Sequence, residues 1–129
     1  MKTLTIKQPY ASLIIAGIKE YEFRTWKTNY RGKLLIHAGK TIDEKAIEKF
    51  KCYNLKYPTG CIIGEVTIVD CVKIDADERL VLKSKNKLVY DRVIKDKNWN
   101  GYGFIIKNPK RIKPIYVNGK LGLWNYEEK

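Results

Sequence analysis

Three charged residues, Lys19, Glu22 and Arg24, fall together just after an apolar run in QPYASLIIAGIKEYEFRTW, the stretch from Gln8 to Trp26. Glu22 and Arg24 are two apart in an alternating segment, so they share one face of a strand. Lys19 leaves the preceding helix at its C-terminal end, where a cation suits the helix dipole. In a cleft, such a set binds a planar polar group. Arg24 would be the bidentate donor, Glu22 the acceptor for an amino edge, and Lys19 the cation on a phosphate or carbonyl. The same three residues are also what a partly buried structural ion network is made of.

Other candidates lie around them. His37 is the single histidine. It suits donation to a phosphate or general base chemistry near neutral pH, and equally a satisfied structural role. Lys40, three residues on, would meet the same ligand, and Gly39 between them would let a backbone come close. Gln8 flanks a helix start, whose free N–H groups suit an anion. Trp26 and Trp99 are stacking surfaces for a splayed base. Tyr10 and Trp124 fit the core better. Lys107 and Lys110 suit a phosphate backbone.

The elements that must position these groups follow from periodicity. Residues 3–7 alternate as a short strand. Pro9 suits a helix start, and Tyr10, Leu13, Ile14 and Ile18 recur at helical spacing up to Gly17, which can end the helix. Because that helix is apolar nearly all round, it is expected to plug the end of a sheet or barrel. Strands are expected at Tyr21–Trp26 and Lys33–His37, broken by Ala38-Gly39-Lys40. A helix should follow from Ile42 to Tyr53, capped by Thr41 with Glu44. The β-branched run Cys61–Ile74 reads as a central strand in which Gly64 marks a bulge or close approach. Residues 75–100 carry weak signals: a helical turn near Asp77–Arg79, a strand or helix at Leu88–Ile94 and an exposed loop at Lys83–Lys87. Tyr102–Ile106 is a strand ended by Asn108-Pro109. Ile112–Val117 and Leu121–Trp124 read as a closing hairpin. The expectation is one α+β domain over residues 1–129, built on a small barrel of about six strands with one or two helices.

Composition narrows the function. The chain of 129 residues carries 26 Lys and Arg against 14 Asp and Glu, a net charge of +12. Between Arg79 and Lys120 there are twelve basic residues and two acids, Asp91 and Asp96. A basic surface of that kind concentrates polyanions, although a Lys-rich proteome would also produce it. RNA or a nucleotide is the expected partner, with DNA the other nucleic acid of matching charge. No apolar run approaches the roughly 20 residues of a membrane span. The N-terminus breaks at Lys7 and Gln8 before a signal sequence could form, so a cytoplasmic protein is expected. Cys52, Cys61 and Cys71 lack metal-site spacing and are odd in number, so neither zinc nor disulfides are expected, and no cofactor.

The pieces QPYASLIIAGIKEYEFRTW, RGKLLIHAGK, PTGCIIGEV, GYGFIIKNPKRI and GKLGLW, in that order, make the chain resemble the ASCH domain family, whose fold is like that of PUA domains. The most specific piece is G-x-K-x-x-E-x-R, here Gly17, Lys19, Glu22 and Arg24. The resemblance implies a barrel of five or six strands, a cleft beside the first helix and a role in binding RNA. Members are described as binders, as coactivator modules and, in a few cases, as enzymes. Some are amidohydrolases on N4-acylated cytidine, similar to this chain at Lys19 and Arg24. Those enzymes carry a nucleophilic Thr where this chain has Glu22. Thr25 lies on the opposite strand face, and the catalytic Glu of those enzymes has no secure match in Glu65, Asp77 or Glu78. A metal-free ribonuclease, the other enzymatic alternative, would draw on Lys19, Glu22, His37 and Lys40.

Overall fold

The computed structural model describes residues 1–128. Its strands are β1 (Lys2–Gln8), β2 (Tyr21–Arg24), β3 (Gly32–Ile42), β4 (Cys61–Lys73), β5 (Tyr102–Tyr116) and β6 (Leu123–Asn125). Its helices are α1 (Tyr10–Ile15), α2 (Glu44–Lys49), α3 (Ala76–Lys85) and α4 (Asp91–Lys95), with a 3-10 turn at Lys51–Tyr53. The strands form one mixed sheet in the order β2-β5-β4-β3-β1-β6, in which only β1 and β3 run parallel. The α+β class and the six strands are as expected, but four helices stand where one or two were expected, because residues 75–100 fold as α3 and α4. Closure into a barrel is not: strand pairing leaves β2 and β6 as edges. The sheet nevertheless bends far enough for Arg24 of β2 to reach the Thr5 carbonyl of β1.

Helix α1 is apolar on every side because it is buried on two. Ala11, Ile14 and Ile15 join Leu4, Ile36, Val66 and Phe104 in the core against the sheet. Leu13 faces the other way, into a second core with Tyr21, Phe50, Leu82 and Tyr90. Full burial of such side chains is worth about 1.5–3 kcal/mol each. Gly64 makes the close packing possible, since a Cβ there would fall 2.5 Å from Ile15 Cδ1 and 2.7 Å from the Lys110 carbonyl.

Several boundaries differ from the expectation. β3 runs on through Ala38-Gly39-Lys40, and Asp43, not Thr41, caps α2 by accepting from the Ala46 N–H. Residues 76–85 form a complete helix, capped by Asp75, whose last turn includes part of the expected loop. β5 continues through Asn108-Pro109, where Asn108 takes φ 56°. β2 covers only Tyr102–Ile105 of it, and Pro109 and Pro114 fall at the register shifts of the β4 ladder, as proline within a sheet does. The closing hairpin does not form: β6 crosses to pair with β1.

Candidate nucleic-acid interface

The bend of the sheet leaves a seam between the open side of β1 and the edge strand β2, and there lies a cleft of about 1110 Å³. Thr5–Lys7 and Glu22–Trp26 form its two lips, Tyr10 and Phe50 its base, Gly39–Thr41 one end and residues 89–99 its outer wall. Seven basic side chains (Lys7, Lys19, Arg24, Lys40, Lys49, Arg92, Lys95) line it against three acidic ones (Glu22, Asp91, Asp96). An anion therefore gains from entering.

Lys19, Glu22 and Arg24 do meet there, but their polar groups are mostly spent on one another. Lys19, 4% exposed, donates to Glu22 Oε1 at 3.2 Å and to the Tyr21 carbonyl. Its ammonium also lies 4.8 Å from the Phe23 ring centroid. Burial pulls the Lys19 pKa below the usual lysine value, and Glu22 partly opposes the shift. Arg24 donates through Nε (3.0 Å) to Glu22 Oε2, with Nη2 2.9 Å from the same oxygen. Nη2 also donates to Thr5 O at 2.9 Å, across the seam. Of the three guanidinium nitrogens of Arg24, only Nη1 has no hydrogen-bond partner among the described residues. Arg24 is thus not placed to grip a base with its Nε–Nη2 edge. Glu22, 7% exposed with both oxygens engaged, is not placed to accept from an amino group.

Trp26, Lys40 and Trp99 line the same cleft. Trp26 stands edge-on to Phe104 (5.2 Å), and Trp99 edge-on to Phe23 (6.0 Å). Both keep part of their surface open. Lys7 and Lys40 have no carboxylate within 4 Å among the described residues, whereas Lys49 pairs with Asp91 and Arg92 lies 3.6 Å from Asp43. Lys7, Arg92 and Lys95 were not singled out from the sequence. The spacing of Arg92 and Lys95, one turn apart on α4, is the signal that could have found the last two.

Gln8, His37, Lys107 and Lys110 do not line the cleft. Gln8 is fully buried; its Oε1 accepts the Ser12 N–H and its Nε2 donates to Pro58 O, so it occupies the helix start itself. Lys107 and Lys110 are exposed on the β5 edge. His37, 2% exposed, stands edge-on to Trp124, with Nε2 2.7 Å from Val117 O and Nδ1 without a partner. It is not assembled with Lys19, Glu22 and Lys40 as the ribonuclease set requires. Its neighbour Gly119 has no room for a side chain: a Cβ would fall 2.6 Å from Thr5 Oγ1 and 2.8 Å from His37 Cε1. Gly119→Ala is expected to cost about 1–3 kcal/mol by overpacking. Thermal unfolding checks this, and an unchanged Tm would mean the turn gives way freely.

Among the described residues no cluster of three His, Cys, Asp or Glu could hold a metal ion, and the three cysteines are unpaired. No described helix is long and apolar enough to cross a membrane.

A helix-backed, six-stranded mixed sheet with a cleft at the G-x-K-x-x-E-x-R segment defines the class of protein. The chain belongs to the ASCH domain family, whose model matches residues 4–115. It is 30% identical over 139 residues to activating signal cointegrator 1 of Mus musculus, and equally so to that of Homo sapiens. Each match covers 98% of this chain but only 22% of the relative, so the chain spans about a fifth of those proteins. Among solved structures, the ASCH protein of Zymomonas mobilis superposes with a TM-score of 0.61 at 16% identity, over 90% of this chain and 73% of that one. A single-residue variant of the same protein gives 0.59 at 16% identity, with the same coverage. At that identity the likeness speaks for the fold alone.

Proposed function

We propose that this protein binds RNA, or a nucleotide within it, in the cleft between β1 and β2. One observation carries the reading. The partly exposed rings of Trp26 and Trp99 share a cleft with Lys7 and Lys40, cations that meet no carboxylate, and with the free Nη1 of Arg24. Stacking rings beside uncommitted cations are what a single strand needs. Lys107 and Lys110 on the open edge of β5 would follow the phosphate backbone outside the cleft. The ASCH family is associated with nucleic acid, which agrees with this chemistry.

The test is fluorescence anisotropy with a labelled single-stranded RNA of about a dozen nucleotides at two salt concentrations. Wild type is expected to bind with a steep salt dependence. Lys40→Ala and Lys110→Ala should each flatten the slope by roughly 0.7, the value for one phosphate contact on a single strand. No binding by wild type at low salt would sink the reading. It would also favour a protein-interaction module, in line with the cointegrator name of the relatives.

Lys19 favours a second reading, hydrolysis of a modified nucleoside. A buried lysine whose pKa is lowered is a candidate base or nucleophile. Turnover of an acylated cytidine that disappears in Lys19→Ala, with the circular dichroism unchanged, would establish it.

A further inference from the structure

Val89 and Tyr90, at the start of the outer wall, are buried in the second core, but the wall beyond them has less of its own to hold it. α4 is five residues long, has no fully buried residue and no side-chain cap at its start. The loop that follows carries Trp99. Yet this segment supplies Arg92, Lys95 and Trp99 to the cleft.

Ion pairs from Lys49 to Asp91 and from Asp43 to Arg92 hold α4 by its side chains, and one side chain from another element holds the wall by its backbone. Arg79 of α3 donates from Nε to Val93 O (2.9 Å) and from Nη1 to Ile74 O (3.2 Å). Its Nη2 donates to Asp96 O (3.1 Å) and to Trp99 O (2.7 Å). Ile74 follows the end of β4, so the guanidinium joins the sheet to the wall from the middle of α4 to Trp99. Val93 O is among the carbonyls that the C-terminal end of α4 leaves without a helical partner, and Asp96 O, just past that end, also accepts the Trp99 N–H. The fixed planar fork meets four carbonyls, two of them at the C-terminal end of α4, where a cation is favoured. The indole of Trp99 then rests on Gly101, where a Cβ would fall 2.4 Å from the ring and 2.7 Å from the Arg24 carbonyl.

We infer that Arg79 is the positioning residue of the cleft: it holds the α4–Trp99 wall at the distance from β2 at which a base can stack. The inference rests on the RNA reading for its consequence, though not for its geometry. Arg79 itself is absent from the cleft lining, so it acts through Trp99 and not by touching the ligand. Lysine cannot replace it, because one ammonium with three donors cannot reach four carbonyls set around a plane.

The experiment uses protein labelled with 5-fluorotryptophan, whose Trp99 resonance is assigned with Trp99→Phe. In Arg79→Ala and Arg79→Lys, the Trp99 resonance is expected to move toward the solvent-exposed position. The resonance of Trp124, buried in the sheet core, should stay. Affinity for the single-stranded RNA should fall roughly tenfold, about the contribution of one stacked base, with the salt slope unchanged. A Trp99 resonance that does not move overturns the inference. So does unaltered RNA affinity beside a moved resonance, or movement of Trp124 as well in Arg79→Lys, which would make Arg79 a general structural residue. If wild type binds no RNA, the functional reading fails, and the clasp stands or falls on the Trp99 resonance alone.

Discussion

In Glu22→Gln the free energy of unfolding is expected to fall by about 3–5 kcal/mol, the cost of removing one partner of a buried ion pair. The size follows from what Glu22 leaves behind. Lys19 stays 4% exposed with the Tyr21 carbonyl as its remaining acceptor, and Arg24 loses the carboxylate that aims it at Thr5 O. Urea unfolding at neutral pH measures the loss. A second measurement identifies its origin. Burial has lowered the Lys19 pKa in the folded state, while the unfolded chain has the ordinary value. Between those two values the unfolded chain binds more protons, so stability rises with pH across that window. Removing Glu22 removes the attraction that opposes the shift, so the folded pKa drops further and the window widens. The deficit of Glu22→Gln should therefore shrink as pH climbs toward the lysine range. A deficit that is constant with pH would mean that Lys19 is not the stranded charge. Lys19→Met combined with Glu22→Gln should recover part of the loss, because an apolar replacement needs no partner.

What was legible in the sequence divides along a physical line. Local periodicity marks β1, α1, β2 and the long β4, and Gly64, read as a bulge or a close approach, has both a register shift beside it and α1 packed on it. Long-range pairing was not legible. β6 lies after a turn signal at Asn118-Gly119 and reads as the return arm of a hairpin, yet it pairs with β1 at the far end of the chain. The cleft wall was missed for the same reason. α3 and α4 have no strong apolar stripe of their own, and α4 is held by Arg79 bonds to carbonyls, which leave no periodic trace. The grouping of Lys19, Glu22 and Arg24 is legible from residue types, with a ligand cleft and a structural ion network as its two readings, but which partners each group takes is not. Whether Glu22 faces a ligand or Lys19 depends on side-chain directions that spacing alone does not give.

Those commitments set the second expected result. Trp26→Ala and Trp99→Ala should each weaken binding of single-stranded RNA by about 1–3 kcal/mol, the value of one stacked base. The loss should be similar for uridine-, cytidine- and adenosine-only strands. The groups able to read a base edge are largely occupied within the fold. Both Glu22 oxygens are engaged, the Gln8 amide bonds to Ser12 N–H and Pro58 O, and the Nε–Nη2 edge of Arg24 is closed by Glu22. The rings, the uncommitted lysines and Nη1 of Arg24 are what remain, a set with donors and π-faces but no acceptor for an amino group and no paired edge to select among these three bases. Anisotropy titrations of the three homopolymers, wild type beside each variant, measure this directly. A preference of wild type for one base by more than about tenfold, or roughly 1.4 kcal/mol, would show that Arg24 or Glu22 exchanges its internal partner for the ligand. In that event Arg24→Lys should abolish the preference, since a lysine cannot reproduce the fork. Even affinities across the three strands, falling together in both tryptophan variants, would mean that the cleft recognises the strand and not its sequence.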